Sequence, residues 1–263
     1  TPGDATVFLT SDVTGDRILP GDKGIYTLDS GSSYTVVVTR YGYVGQKKTF
    51  TAGEANKTVQ IKLEKAPDST LKDIELPTDW PLFRKNDENN GVVDVRTPIT
   101  AEDTVLVWAN KLGEGYSGSA VGSPIIVGGY LYTYSGTTVM KVDKETGLIL
   151  KTGTMVGGSS FAINSAPYAE GMIFIGLANG RVQAFNAETL ESLWVYRDAL
   201  GGQPNCPIAY ADGYIYTGFW NSETKQANFA CLSVTDEDTT KTNEAKLPTW
   251  TYTHNGFYWA GAY

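Results

Sequence analysis

Residues 164–197 read NSAPYAEGMIFIGLANGRVQAFNAETLESLWVYR, and this stretch decides the fold. Four short runs rich in β-branched and aromatic residues stand out: Asn164–Ala169, Met172–Leu177, Arg181–Asn186 and Ser192–Arg197. Such side chains fit a pleated, half-buried surface, and turn residues separate the runs. Asn179-Gly180 lies between the second and third runs. That dipeptide suits a two-residue type I′ hairpin, whose central residues both take positive φ. The stretch is a four-stranded meander of strands A, B, C and D.

The same unit recurs on either side. Pro124 to Tyr132 (PIIVGGYLY), Pro167 to Phe174 (PYAEGMIF) and Pro207 to Tyr216 (PIAYADGYIY) share a pattern, with turn glycines at 129, 171 and 213, 42 residues apart each time. Val139 to Thr146 matches Val182 to Thr189 at an offset of 43. Trp108, Trp194 and Trp250 each close a unit, with Leu150 or Lys151 where a fourth would stand. A period near 42 holding four short strands is the signature of a β-propeller blade. The spacing predicts whole blades over 119–155, 162–198 and 206–253, an outer strand over 104–110, and the start of an inner strand over 257–263. Three blades and two odd strands do not close a ring, because propellers close with about four to eight. The expectation is a portion of a longer protein, whose open blade edges favour self-association.

The pattern resembles the quinoprotein (PQQ-like) propeller repeat: Pro, then Gly before a Tyr/Met-Ile/Leu-Tyr/Phe strand, then Asp/Asn-x-x-Thr, then Trp on the outer strand. Trp80 to Gly91, WPLFRKNDENNG, resembles the segment that often opens such propellers. The resemblance spans residues 79–263 and implies fold more than activity. In the enzymes of that family the quinone sits with calcium, acidic and amide ligands, a catalytic Asp and often adjacent cysteines. This chain has no adjacent cysteines. No cofactor is therefore expected, PQQ included.

Residues 5–66 alternate in the period-2 manner of strands, over 5–10, 24–28, 33–39, 47–51 and 58–63. Short strands broken by Gly, Pro and Asp turns predict a small β-sandwich over 1–66. SSYTVVVTRYGYVGQKKTFT, residues 32–51, resembles the immunoglobulin-like or carboxypeptidase-regulatory-like modules of bacterial surface proteins, which implies a spacer. Residues 67–78 lose the alternation and read as an exposed linker. The fold class is all-β, a sandwich followed by propeller blades.

Composition sets the bounds. The net charge of −8 gives no electrostatic footprint for nucleic acid or an anionic membrane. No run of about 18 apolar residues is present to span a bilayer. The opening TPGDATV lacks a signal-peptide pattern, which suggests a mature or excised chain. Cys206 falls in a strand A and Cys231 in a strand C, with a strand between, so about 9–10 Å should separate them. A disulfide needs less than about 7 Å, and both are expected as free buried thiols.

The loops from strand D to the next strand A, with the B–C loops, line one mouth of a propeller's channel. Here they offer Tyr116, Phe161, Asn164, Gln203, Asn205, Tyr258 and Trp259, with Trp220 and Asn221 in an enlarged B–C loop over 219–228. Aromatic rings beside amides suit sugars and small polar ligands. The opposed reading is that the Gly and Ser residues serve turn geometry while the rings pack between blades. Asp236, Asp238 and Thr240 alternate as in a calcium loop, but Lys241 stands where that loop needs Gly and Leu247 where it needs Glu. The insertion 235–244 is therefore read as a solvated loop, and no metal or catalytic residue is expected. The functional expectation is a non-catalytic extracellular or cell-surface bacterial protein that binds a small polar ligand, a glycan or a protein partner. The alternative is a PQQ-dependent dehydrogenase or polysaccharide-acting enzyme with catalytic residues beyond Tyr263. A scaffold for other envelope proteins is a third possibility.

Overall fold

The computed structural model describes residues 4–55, 58–73, 80–86, 90–93, 97–113, 121–159, 164–257, 259 and 261–262. The N-terminal part holds β1 (Thr6–Ser11), β2 (Arg17–Ile18), β3 (Ser33–Thr39), β4 (Tyr43–Val44), β5 (Gln46–Thr51) and β6 (Glu64–Lys65). One four-stranded sheet has the order β2-β1-β3-β5, and β4 pairs with β6. Strand β3 is central because its alternation is cleanest: Tyr34, Val36 and Val38 bury one face against Leu9 and Leu63. Two expected strands are absent. Residues 25–28 and 58–63 make no ladder, although Tyr26, Leu28, Ile61 and Leu63 still pack on that core. Alternation reports which side chains face inward, not whether the backbone finds a partner strand.

Three sheets follow. The first comprises β7 (Ile125–Val127), β8 (Tyr130–Ser135), β9 (Thr138–Asp143) and β10 (Ile149–Thr154). The second comprises β11 (Tyr168–Ala169), β12 (Met172–Leu177), β13 (Arg181–Asn186) and β14 (Ser192–Arg197). The third comprises β15 (Ala209–Ala211), β16 (Tyr214–Gly218), β17 (Ala227–Ser233) and β19 (Trp250–His254), with β18 (Glu244–Lys246) inserted before its last strand. Each is an antiparallel meander in sequence order. The chain is all-β, with blades of an incomplete propeller. Trp194 and Trp250 stand on β14 and β19, the outermost strand of each meander.

Stacking explains why the second blade reads apolar without a break. Ile173, Ile175 and Phe185 point into a core shared with Tyr132, Tyr134 and Val139 of the first blade. Phe174, Val182, Ala184 and Trp194 point the other way, onto Ile215, Ala230 and Leu232 of the third. A sheet covered on both faces needs apolar residues at odd and even positions alike. Each fully buried large side chain contributes about 1.5–3 kcal/mol. The A–B hairpins obey one rule, with positive φ at Glu170-Gly171 and at Asp212-Gly213.

Several expectations need correction. In the second blade strand A is only Tyr168–Ala169, not 164–169, and Cys206 precedes β15 rather than lying in it. Both cysteines are free and buried, as expected. Residues 104–110 form no strand; instead the Trp108 indole Nε1 donates to Lys144 O at 2.8 Å and Asn110 Nδ2 to Gly147 O at 3.0 Å. The described end of the segment read as an exposed linker is docked. Leu71 packs on the core between the second and third blades, and Tyr168 Oη donates to Asp73 Oδ1 at 2.9 Å. The insertion is not simply solvated either. Its strand β18 pairs parallel with β14 of the preceding blade, Trp194 opposite Glu244 and Tyr196 opposite Lys246. Lys246 Nζ is buried there, donating to Thr235 O at 2.6 Å and Glu237 Oε1 at 2.9 Å. Burial holds its pKa below the ordinary lysine value despite the Glu237 carboxylate.

Trp194 is 1% exposed and fills the gap between two blades. Trp194→Ala removes that ring and leaves a cavity, so chemical denaturation should show a loss of about 3–5 kcal/mol.

Candidate binding face

The blades have two ends. One carries the A–B and C–D turns, the other the B–C turns and D–A loops. The first end is occupied by the N-terminal part. Tyr41 Oη donates to Glu170 Oε2 at 2.7 Å, Tyr41 N donates to Tyr214 Oη at 3.0 Å, and Gly42 N donates to Thr235 Oγ1 at 3.0 Å. Gly45 N reaches Glu237 Oε2 at 2.9 Å, so the partner of buried Lys246 also holds the N-terminal part. Burial and the Glu170 carboxylate push the Tyr41 phenol up to about 12. A Cβ on Gly213, at φ +82°, would meet the Tyr41 ring at 2.6 Å. That A–B turn therefore takes glycine for two reasons, its backbone and its contact.

The second end is built by B–C turns meeting D–A loops. Met155 N donates to Thr137 O, Gly180 N to Gly202 O, Asp198 N to Gly180 O, and Phe257 N to Phe219 O. The enlarged third B–C loop is tied in by a reciprocal pair, Gln203 N to Trp220 O at 2.7 Å and Trp220 N to Gln203 O at 3.0 Å. Gln203, Asn205, Trp220 and Asn221 are thereby brought together between the second and third blades, with Asn164 close by. Asn164 Nδ2 donates to Pro204 O at 3.1 Å, while its own carbonyl accepts from Tyr134 Oη at 2.6 Å.

Their side chains do different jobs. Asn221 Nδ2 donates to Leu200 O at 3.1 Å and Gln226 O at 2.9 Å, so its amide shapes its own loop. Asn205 is buried, its Nδ2 lies 3.5 Å from Gln203 Oε1, and its Oδ1 has no hydrogen-bond partner among the described residues. Trp220 is partly exposed, its ring edge against Gly256. Trp259 is 47% exposed and stands in the tail beyond β19. Tyr116, Phe161 and Tyr258 lie outside the described residues.

Sequence reasoning missed one group beneath this face. The buried Asp198 carboxylate accepts from Tyr196 Oη at 2.6 Å, Leu200 N at 2.9 Å, and Asn228 Nδ2 of the third blade at 3.0 and 3.1 Å. Asn228 Oδ1 in turn accepts from Thr253 Oγ1 at 2.6 Å. A saturated carboxylate of this kind ties two blades together beneath the loops. No spacing marks Asp198 in the sequence, since its partners lie 2 and 30 residues away. As a group, these residues provide a partly exposed indole and, among the described residues, one unsatisfied buried amide oxygen. They can bind polar groups and stack a ring. Among the described residues, no set of three or more His, Cys, Asp or Glu could hold a metal ion.

No protein-family model matches the chain, and no curated protein matches it. Solved structures offer partial likenesses. A quinohemoprotein alcohol dehydrogenase from Comamonas testosteroni is 17% identical over 66% of this chain and 27% of its own, with a TM-score of 0.48. BamB from Moraxella catarrhalis is 14% identical over 49% of this chain and 34% of its own, at 0.33. The computationally designed Ika8 protein is 11% identical over 93% of this chain and 54% of its own, at 0.37. The chain thus spans about a quarter to a third of the two natural proteins. At this identity and overlap none of them bears on what the chain does, and the strand order carries the fold.

Removing the Asp198 carboxylate orphans three donors at once. Asp198→Ala should cost more than the roughly 1–3 kcal/mol of a single unsatisfied buried group, read by urea denaturation. Asp238, in the insertion, answers to acid. The Lys241 ammonium, with the Thr240 hydroxyl and amide, holds its pKa at about 2, below the ordinary 3.8. Its contribution to stability is complete above 3.8 and is lost as pH falls through about 2. The stability difference between the protein and Asp238→Asn should therefore shrink across that window in an acid titration.

Proposed function

We propose that this chain is a non-catalytic binding or scaffold protein of the bacterial cell surface or extracellular space. Its D–A and B–C loop face receives a small polar ligand, a glycan or a protein partner. One observation carries the reading. The N-terminal part covers the A–B turns of the second and third blades, which leaves the opposite end to present Gln203, Asn205 and Trp220. There the Asn205 Oδ1 is buried and without a hydrogen-bond partner among the described residues, two residues along from Gln203, whose backbone pairs with that of the partly exposed Trp220. An unsatisfied buried acceptor costs about 1–3 kcal/mol, and a ligand hydroxyl or amide N–H that reached it would recover that cost. Ring stacking on Trp220 would supply the apolar share of the affinity.

The donor set gives no support to quinone chemistry. The two cysteines are buried and stand apart in sequence. Burial pushes their thiols up to about 11 and about 12, which keeps them protonated and unreactive at neutral pH.

The test is a thermal-shift screen of the intact chain against oligosaccharides, peptides and cell-wall fragments. At least one class should raise the midpoint. Trp220→Ala should weaken that ligand tenfold or more, about 1.4 kcal/mol, without lowering the midpoint of the free protein. Silence across all three classes would remove the binding reading.

A further inference from the structure

A buried lysine stands at the seam between the first and second blades. Lys141, on β9, is 9% exposed. Strand pairing places Tyr132 of β8 directly opposite it on one side and Lys151 of β10 on the other. Directly opposite residues share a face of the sheet, so these three side chains lie together. The Lys141 Nζ sits 4.2 Å from the centre of the Tyr130 ring and 5.7 Å from that of Tyr132. The two rings attract a cation through their faces. An ammonium also carries three N–H donors, and among the described residues no oxygen accepts from this one. The unpartnered side-chain atoms sealed from solvent lie at Thr39, Ser159, Asn205, Asp236 and Thr249 among the described residues, so the Lys141 ammonium itself still meets solvent.

The surroundings carry a surplus of positive charge. Lys151 puts a second ammonium on the same face, and like charges directly opposite one another destabilise a sheet. Glu188, in the turn after β13, faces Lys141 from the second blade, where Tyr132 Oη also donates to Ala187 O at 2.8 Å. Its carboxylate is shared with Lys72 of the docked segment, 3.5 Å away. Asp143, at the end of β9, commits its carboxylate to its own turn, accepting from Thr146 N and Thr146 Oγ1 at 2.8 Å each. Three lysines thus gather about one shared carboxylate in a chain of net charge −8. Burial holds the Lys141 pKa below the ordinary lysine value; Glu188 opposes that shift and Lys151 adds to it.

We infer that Lys141 and Lys151 form a binding site for the acidic group of a small ligand, a carboxylate or a phosphate. The oxyanion would accept from the ammonium that the Tyr130 and Tyr132 rings hold in place, and would neutralise the lysine pair. Charge-assisted hydrogen bonds of this kind are about twice as strong as neutral ones. The site lies towards the A–B and C–D turns and shares no residue with the loop face, so it stands or falls independently of the ligand-binding reading there.

The test is a thermal-shift titration of the intact chain at constant ionic strength, with chloride as the reference and glucuronate, inorganic phosphate and glucose as probes. Glucuronate or phosphate should raise the midpoint and glucose should not. The stronger of the two anions tells a carboxylate ligand from a phosphate one. Lys141→Met keeps an unbranched stem and should weaken that anion about tenfold or more. The midpoint of the free variant should be unchanged or higher, because a buried charge without an acceptor is removed. Lys151→Ala, at an exposed position, should weaken the same anion several-fold with folding intact. Lys48→Ala, an equal change in net charge at an exposed position on β5, should leave binding as it was. Midpoints that follow ionic strength alone would overturn the proposal. So would anion responses that survive undiminished in Lys141→Met or, should that variant fail to fold, in Lys151→Ala. A lower midpoint for free Lys141→Met, with no anion response in the parent chain, would assign the lysine a purely structural role.

Discussion

The constraint on which everything else rests is that a four-stranded sheet of this kind cannot bury its own faces. The second blade is stable because both of its surfaces are covered, Ile173 and Ile175 on one side and Phe174 and Trp194 on the other. Cohesion is therefore a sum over seams between neighbours. Each seam combines apolar contact with a few directional ties. Between the second and third blades these are the Trp194 indole on Val234 O, the Asp198 carboxylate on Asn228, and the parallel strand β18 laid along β14.

Much of this is legible in the sequence because repetition amplifies weak local signals. A single Gly-Tyr-Ile-Tyr means little; three turn glycines 42 residues apart fix where strands A and B meet. Strands B, C and D of the second blade have the bounds the sequence implies, since Asn179-Gly180 and the Asn186-Ala187-Glu188-Thr189 turn punctuate them. Legibility ends where pairing depends on distant chain. Residues 25–28 and 58–63 alternate as well as β3 does, yet they meet no partner edge. Strand A shrinks to Tyr168–Ala169, which a two-residue ladder with Ile173 and Met172 is enough to satisfy.

The candidate face divides in the same way. Its position is set by the repeat, and Gln203 and Trp220 do meet across it. What the sequence does not convey is the use of each amide. Asn221 and Asn164 hold neighbouring carbonyls, while the Asn205 oxygen has no partner among the described residues. The insertion 235–244 looks solvated from composition alone, because composition counts charges without locating them. Its acidic side chains serve a buried lysine: Glu237 divides its carboxylate between Lys246 and the Gly45 amide.

The Glu170 carboxylate belongs to the second blade, accepts the Tyr41 hydroxyl from the N-terminal part, and accepts the Tyr210 hydroxyl from the third blade. Three units thus converge on one side chain. Tension applied at the N-terminus would be delivered there, across the joint of two sheets, rather than along the strands of either. Such a molecule would behave under pull as a braced bracket, with the N-terminal part and the joint yielding together instead of one after the other.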